Sequence, residues 1–124
     1  MLTLEGVIDL HVHAAPELFA RVGDAITMAQ GARDAGMAGL LLKAHHESTV
    51  TRAYYAGLAV EGIDLYGGLV LNEFVGGFNP TAVGAALQQG ARMIWGPTMH
   101  AAHHVDHFGK GTYGVGHMTL APEL

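Results

Sequence analysis

Four apolar runs of strand length constrain this chain more than anything else in it: residues 6–10, 38–42, 65–71 and 92–95. Each ends in polar residues, and the first three are followed by a segment of helical period that closes on glycine. A continuously apolar run such as Ala38-Gly39-Leu40-Leu41-Leu42 suits a strand buried on both faces, as strands of a parallel sheet are. Strands joined by single helices return to the same edge and run parallel, almost always through right-handed crossovers. The expected fold is therefore α/β, successive βα units with about four strands and three helices, and all the strand C-termini lie on one side.

The helix boundaries follow from capping chemistry. Asp24 is a natural N-cap for a first helix with Ala25, Ile26, Met28, Ala29 and Ala32 on its apolar side, stopped by Gly36. Ser48 is expected to cap a second helix running to about Val60 and stopped by Gly62. Asn79-Pro80 supplies a cap and the N1 position that proline tolerates best, and this third helix runs to Gln89 with Gly90 as its stop. The tail, residues 109–124, is glycine-rich and irregular, with a short extended piece at 119–122.

The polar residues that close the strands are the candidate site. His11 and His13 are separated by one residue, so in a strand both side chains share a face and can grip one transition metal. Asp9 is expected on that face too, fixing a ring tautomer from behind as a catalytic partner. Lys43 and His45 share a strand-like face at the second strand's end, while His46 points elsewhere as a loop residue. A lysine closing a buried strand needs a partner or carbamylation, or must snorkel to solvent. Glu73 is a hard oxygen ligand or general base after the third strand, and Asp106 is a second candidate for proton relay. In the segment from His100 to His107, His100 is nearest the strand end and is the ligand candidate, and His104 is a substrate-binding candidate. Arg21, in the loop after the first histidines, can hold a substrate carboxylate or phosphate in bidentate fashion. The metal set is thus His11, His13, His45 and His100; the catalytic set is Lys43, Glu73 and Asp9; the substrate set is Arg21 and His104. Strand C-termini are where α/β folds keep their active sites.

Composition narrows the partners. The chain has no cysteine, so a disulfide frame and a thiolate zinc site are excluded, while nine histidines are available to a metal. A net charge of -5 with only six lysines and arginines offers no basic patch for nucleic acid and no polybasic membrane anchor. No leader pattern and no apolar run near the ~20 residues of a membrane helix is seen, so a cytoplasmic location is expected. There is no Gly-x-Gly-x-x-Gly after the first strand to suggest dinucleotide binding.

Ile8-Asp9-Leu10-His11-Val12-His13 resembles the first-strand His-x-His signature of the amidohydrolase superfamily, metal-dependent hydrolases built on (β/α)8 barrels. PHP phosphoesterases open in a similar way. From Asp9 to about His107 the chain is similar to an uncharacterised amidohydrolase-like family. The likeness lies in a Pro-containing loop, Lys43-Ala44-His45, Leu71-Asn72, the turn Gly76-Gly77-Phe78-Asn79-Pro80, and Pro97-Thr98 leading to His104. The resemblance implies a divalent ion, zinc first with manganese or iron as alternatives, one or two per site, and hydrolysis of an amide, ester or lactone. The superfamily places its bridging lysine on the fourth strand, histidines on the fifth and sixth, and a catalytic aspartate on the eighth, whereas Lys43 lies on the second.

A full barrel takes ~250 residues, so the 124 residues are expected to form a single partial domain, half of a TIM-type barrel. An open doubly wound sheet is the alternative. Half a barrel exposes an apolar inner face and two open edges, so a homodimer or higher oligomer is expected. The competing functions are a metal- or ligand-binding half-barrel without turnover, a PHP-like phosphoesterase, and a structural subunit that needs a partner chain.

Overall fold

The computed structural model describes residues 3–109. The expected tail beyond Gly109, with its extended piece at 119–122, lies outside the described residues. The elements run β1 (Ile8–Val12), α1 (Ala25–Asp34), β2 (Gly39–Leu42), α2 (Val50–Ala59), β3 (Asp64–Tyr66), β4 (Gly68–Val70), α3 (Pro80–Gln88), β5 (Met93–Trp95) and α4 (Ala102–Phe108). A single 3-10 turn, Glu73–Val75, follows β4. All the strand pairings are parallel, in the order β1-β2-β3 and β4-β5.

The helix ends obey the capping rules. Asp24 accepts a hydrogen bond from the Thr27 N–H at 2.7 Å, and Asn79 accepts from Thr81 and Ala82 with Pro80 at the first helical position. Gly36, Gly62 and Gly90 follow the three helices with φ of 82°, 83° and 103°, a region only glycine enters without strain. Two details differ from expectation. Ile26 is exposed, and α1 is buried instead through Ala25, Ala29 and Ala32. The N-cap of α2 is Thr49 rather than Ser48, and it makes no side-chain cap bond because its hydroxyl turns into the sheet.

That threonine explains the largest departure, five strands where four were expected. The run 65–71 is broken at Gly67: its first part pairs with β2 and its second with β5. Between β2 and β4 stands the fully buried Thr49, whose hydroxyl donates to the Leu42 carbonyl at 2.7 Å and accepts from the Gly68 N–H at 2.9 Å. The Thr49 N–H donates to the Gly68 carbonyl at 3.0 Å. One residue therefore satisfies backbone groups that a direct ladder would have paired. Its approach requires glycine, since a Cβ on Gly67 would lie 2.4 Å from Val50 Cα.

Both α1 and α2 pack on one side of the sheet, where Ala25, Ala32, Ala53 and Ala56 meet Val12, Leu40 and Leu42, and α1 touches α2. Consecutive helices share a face both in a barrel wall and within one half of a doubly wound sheet, which changes face only at its switch point. A second cluster joins Leu69 and Leu71 to Ala86 of α3. On the other side, Ile8, Leu10, Leu41, Tyr66, Arg92 and Met93 line a shallow cavity of about 250 Å³. Ile8 and Leu10 remain 44% and 58% exposed there, so this apolar face is uncovered among the described residues. The fourth helix, unforeseen, forms from the histidine-rich segment; no helix among the described residues is long and apolar enough to cross a membrane.

Candidate metal centre

The site begins with an irregularity in β1. Asp9 pairs with Leu40 and Val12 with Leu42, so three steps on β1 face two on β2 and one residue bulges. Leu10 lines the open face whereas Val12 joins the helix-side core, although strict alternation would put them together. The bulge inverts the strand between them and sends His11 and His13 to the side of Lys43. Asp9 holds this turn, its Oδ1 accepting from the His11 backbone N–H at 2.9 Å. Its expected place behind a histidine ring is not observed, because the bulge breaks the alternation on which that reading depended.

His11 Nε2 and His13 Nε2 stand 3.1 Å apart, and Lys43 Nζ lies 3.4 Å from His11 Nε2. For a tetrahedral zinc with Zn–N near 2.0–2.1 Å, neighbouring ligand atoms are about 3.3 Å apart. The two Nε2 atoms thus already sit at the spacing of two ligands on one ion. Partial desolvation of the otherwise exposed ring, aided by the Lys43 charge and then by His13, pushes the His11 imidazolium below its ordinary range, which favours the neutral form a metal requires.

The partner behind His13 is Glu17, in the Pro-containing loop after β1 and outside the candidate set of the sequence. Its fully buried carboxylate accepts from His13 Nδ1 at 3.1 Å, from the His45 backbone N–H at 3.2 Å, and from Arg21 Nε. Nδ1 faces both this acceptor and Arg21 Nη2 at 3.2 Å, and the tautomer in which it donates to Glu17 leaves the Nε2 lone pair facing His11. Burial alone would raise the Glu17 pKa; hydrogen bonds from His13 and Arg21 outweigh it and hold the carboxyl down at about 2. Arg21 is therefore engaged by Glu17, with Phe19 5.3 Å from its guanidinium, rather than free to clamp a substrate. The loop is anchored by Arg52 of α2, which donates to the Ala14 and Pro16 carbonyls at 2.6 and 2.8 Å. The available signal for Glu17 was its position four residues after His13 in a short loop.

Lys43 is 6% exposed, with Nζ 5.2 Å from the centroid of the Trp95 ring. Burial lowers its pKa while Glu17 opposes the shift. The His45 ring stacks on His13 with centroids 4.8 Å apart, and its Nδ1 meets Thr98 Oγ1 at 2.9 Å. Burial, then the nearby His13, pushes the His45 pKa down to about 4, leaving the ring neutral at pH 7. Asn72, wholly buried, joins the ends of β4 and β5: Nδ2 donates to the His45 carbonyl and Thr98 Oγ1, and Oδ1 accepts from the Thr98 and His100 N–H groups. Among the described residues His13, Glu17 and His45 form a group whose ligand atoms lie within 4.8 Å of one another. Arg21 already occupies the Glu17 side of that group, so the Nε2 side of His11 and His13 suits a cation better.

The remaining candidates fall outside this group. His100 turns to Glu73, accepting from its N–H at 3.3 Å and facing its carboxylate at 3.8 Å, with Phe74 against the ring. The 3-10 turn after Asn72 folds Glu73 back toward the loop after β5, so the two pair with each other. His104 and Asp106 are on α4, the ring of His104 resting on Phe108. The Nδ1 of His46 is buried without a hydrogen-bond partner among the described residues.

The family described as Family of unknown function (DUF6282) matches residues 6–121, and the chain belongs to it. No curated protein and no solved structure matches the chain.

Proposed function

We propose that this member of a family of unknown function is a metal-dependent hydrolase of the amidohydrolase type, with its strands forming half of a (β/α)8 barrel. The observation that carries the reading is the His11 Nε2 to His13 Nε2 separation of 3.1 Å at the end of β1. Imidazole donors without thiolates favour zinc, with manganese or iron as alternatives, one or two ions per site. When bound, such an ion supplies a nucleophilic water near neutral pH and polarises a carbonyl or phosphoryl oxygen.

The chain's own groups divide the remaining work. Glu17 orients His13 through Nδ1, and Arg21 and Arg52 hold Glu17 and its loop in place. Lys43, whose ammonium form burial disfavours, is placed beside His11 to accept a proton from water. The helices on one side and the apolar opposite face are the arrangement of a barrel wall. The outer edges of β1 and β5 have no strand partner among the described residues. A second copy related by a two-fold axis along the strands would pair β1 with the partner's β5, keep every strand parallel, and cover the apolar face.

Elemental analysis of protein purified without added metal, followed by zinc or manganese titration and ester, amide and phosphoester panels, tests the reading. At least one equivalent of metal and metal-dependent turnover are expected. Metal without turnover on any panel would favour a binding module, and no affinity for any of these ions would end the proposal.

A further inference from the structure

His45 was grouped with the metal ligands by sequence, yet its hydrogen bonds assign it a different task. The amide of Asn72 is pinned, because Oδ1 accepts from two backbone donors, the Thr98 N–H at 2.9 Å and the His100 N–H at 3.3 Å. Its Nδ2 must then be the donor to Thr98 Oγ1 at 2.9 Å. The Thr98 hydroxyl has one hydrogen and still needs an acceptor. His45 Nδ1, 2.9 Å away, is the acceptor within its reach. With the hydroxyl hydrogen given to Nδ1, the proton of the neutral ring resides on Nε2; ligation through Nε2 would require the opposite tautomer, with Thr98 Oγ1 accepting twice and its hydrogen turned elsewhere. The ring stacks on that of His13 with centroids 4.8 Å apart, which keeps it beside the paired imidazoles.

We propose that His45 is a neutral hydrogen-bond donor through Nε2–H, aimed at the carbonyl oxygen of an amide or ester as that oxygen gains charge. This rests on the hydrolase reading above and names its substrate chemistry. Water oxygen forms the new bond to the carbonyl carbon, and the C=O π pair moves onto the oxygen held by Nε2–H. That pair returns as the bond to the leaving nitrogen or oxygen breaks, and the water's proton departs with the leaving group. His45 neither gains nor loses a proton, and a preorganised donor of this kind is commonly worth ~10²–10³ in kcat. Asn72 and Thr98 are positioning residues that set its tautomer.

The test is a long-range ¹H–¹⁵N correlation spectrum of the metal-free protein at pH 7, which reads which His45 nitrogen bears the proton. Protonated Nε2 and bare Nδ1 are expected, Thr98→Ser should preserve that state, and Thr98→Val should move population toward Nδ1–H. A wild-type ring protonated at Nδ1 would overturn the proposal whether or not any variant folds. Zinc titration of His45→Gln adds a second arm, since the backbone groups of residue 45 that hold Glu17 and Asn72 are untouched. Affinity within about threefold of wild type supports a donor, and a loss of tenfold or more makes His45 a ligand and overturns it. If wild type takes no zinc, the hydrolase reading fails while the tautomer result still stands or falls by itself.

Discussion

Replacing Glu17 by glutamine keeps the shape of the side chain and removes the charge on which three donors converge. The carboxyl is held at about 2 against an ordinary value of 4.5. With each pKa unit worth 1.36 kcal/mol, that difference stabilises the fold by about 3 kcal/mol at neutral pH. Breaking a buried ion pair typically costs ~3–5 kcal/mol, in line with that figure. Because the folded pKa is the lower one, the contribution is complete above pH 4.5 and fades as pH falls toward about 2. Urea unfolding of metal-free wild type and Glu17→Gln should therefore differ by about 3 kcal/mol at pH 7, a large share of a small domain's stability, and converge on acidification. The same variant should bind zinc ~10–100-fold more weakly, as expected when the carboxylate behind a ligating histidine is lost. A difference below about 1 kcal/mol at pH 7, or one of equal size at pH 3, would refute the assignment of Glu17 as the ionised centre of the loop.

Other expectations are as direct. His11→Ala should lose most bound metal yet keep its unfolding midpoint, because the side chain is exposed at the strand's end; unchanged metal content would remove His11 from the site. Thr49→Val leaves the Leu42 carbonyl and the Gly68 N–H without their partner and should cost about 3 kcal/mol in denaturant unfolding, whereas a purely steric role would cost almost nothing. Gly67→Ala drives a methyl into the Val50 backbone and should destabilise by at least about 2 kcal/mol, with a neutral result contradicting the close approach. Native mass should show a dimer, and Leu10→Asp on the exposed apolar face should yield monomer; a wild-type monomer rules out the second copy as its cover.

Much of the framework was legible because it depends on local chemistry. Asp24 and Asn79 cap the helices they were expected to cap, and Gly36, Gly62 and Gly90 mark the stops. The meeting of His11, His13, Lys43 and His45 followed from parallel strands sharing one C-terminal side. The break at Gly67 was not legible, since a run apolar on both faces carries no period to reveal where its partner changes. Glu17 and Thr98 were missed as functional groups because their roles come from residues distant in sequence: His45 is 28 positions from one and 53 from the other. His100 and Glu73 looked like site residues by their positions after strands, but a turn folded the two onto each other.

The bulge in β1 makes the chemistry of this strand a matter of counting as much as of composition. Were the same residues laid in strict alternation without the bulge, His11 would stand opposite Leu42 and every later side chain would change face. The imidazoles would then be driven beneath α1 and an aliphatic side chain would take their place beside Lys43, although no ligand-type residue had been removed. A chain of this kind can lose the pairing of its imidazoles through an altered phase while keeping all its histidines.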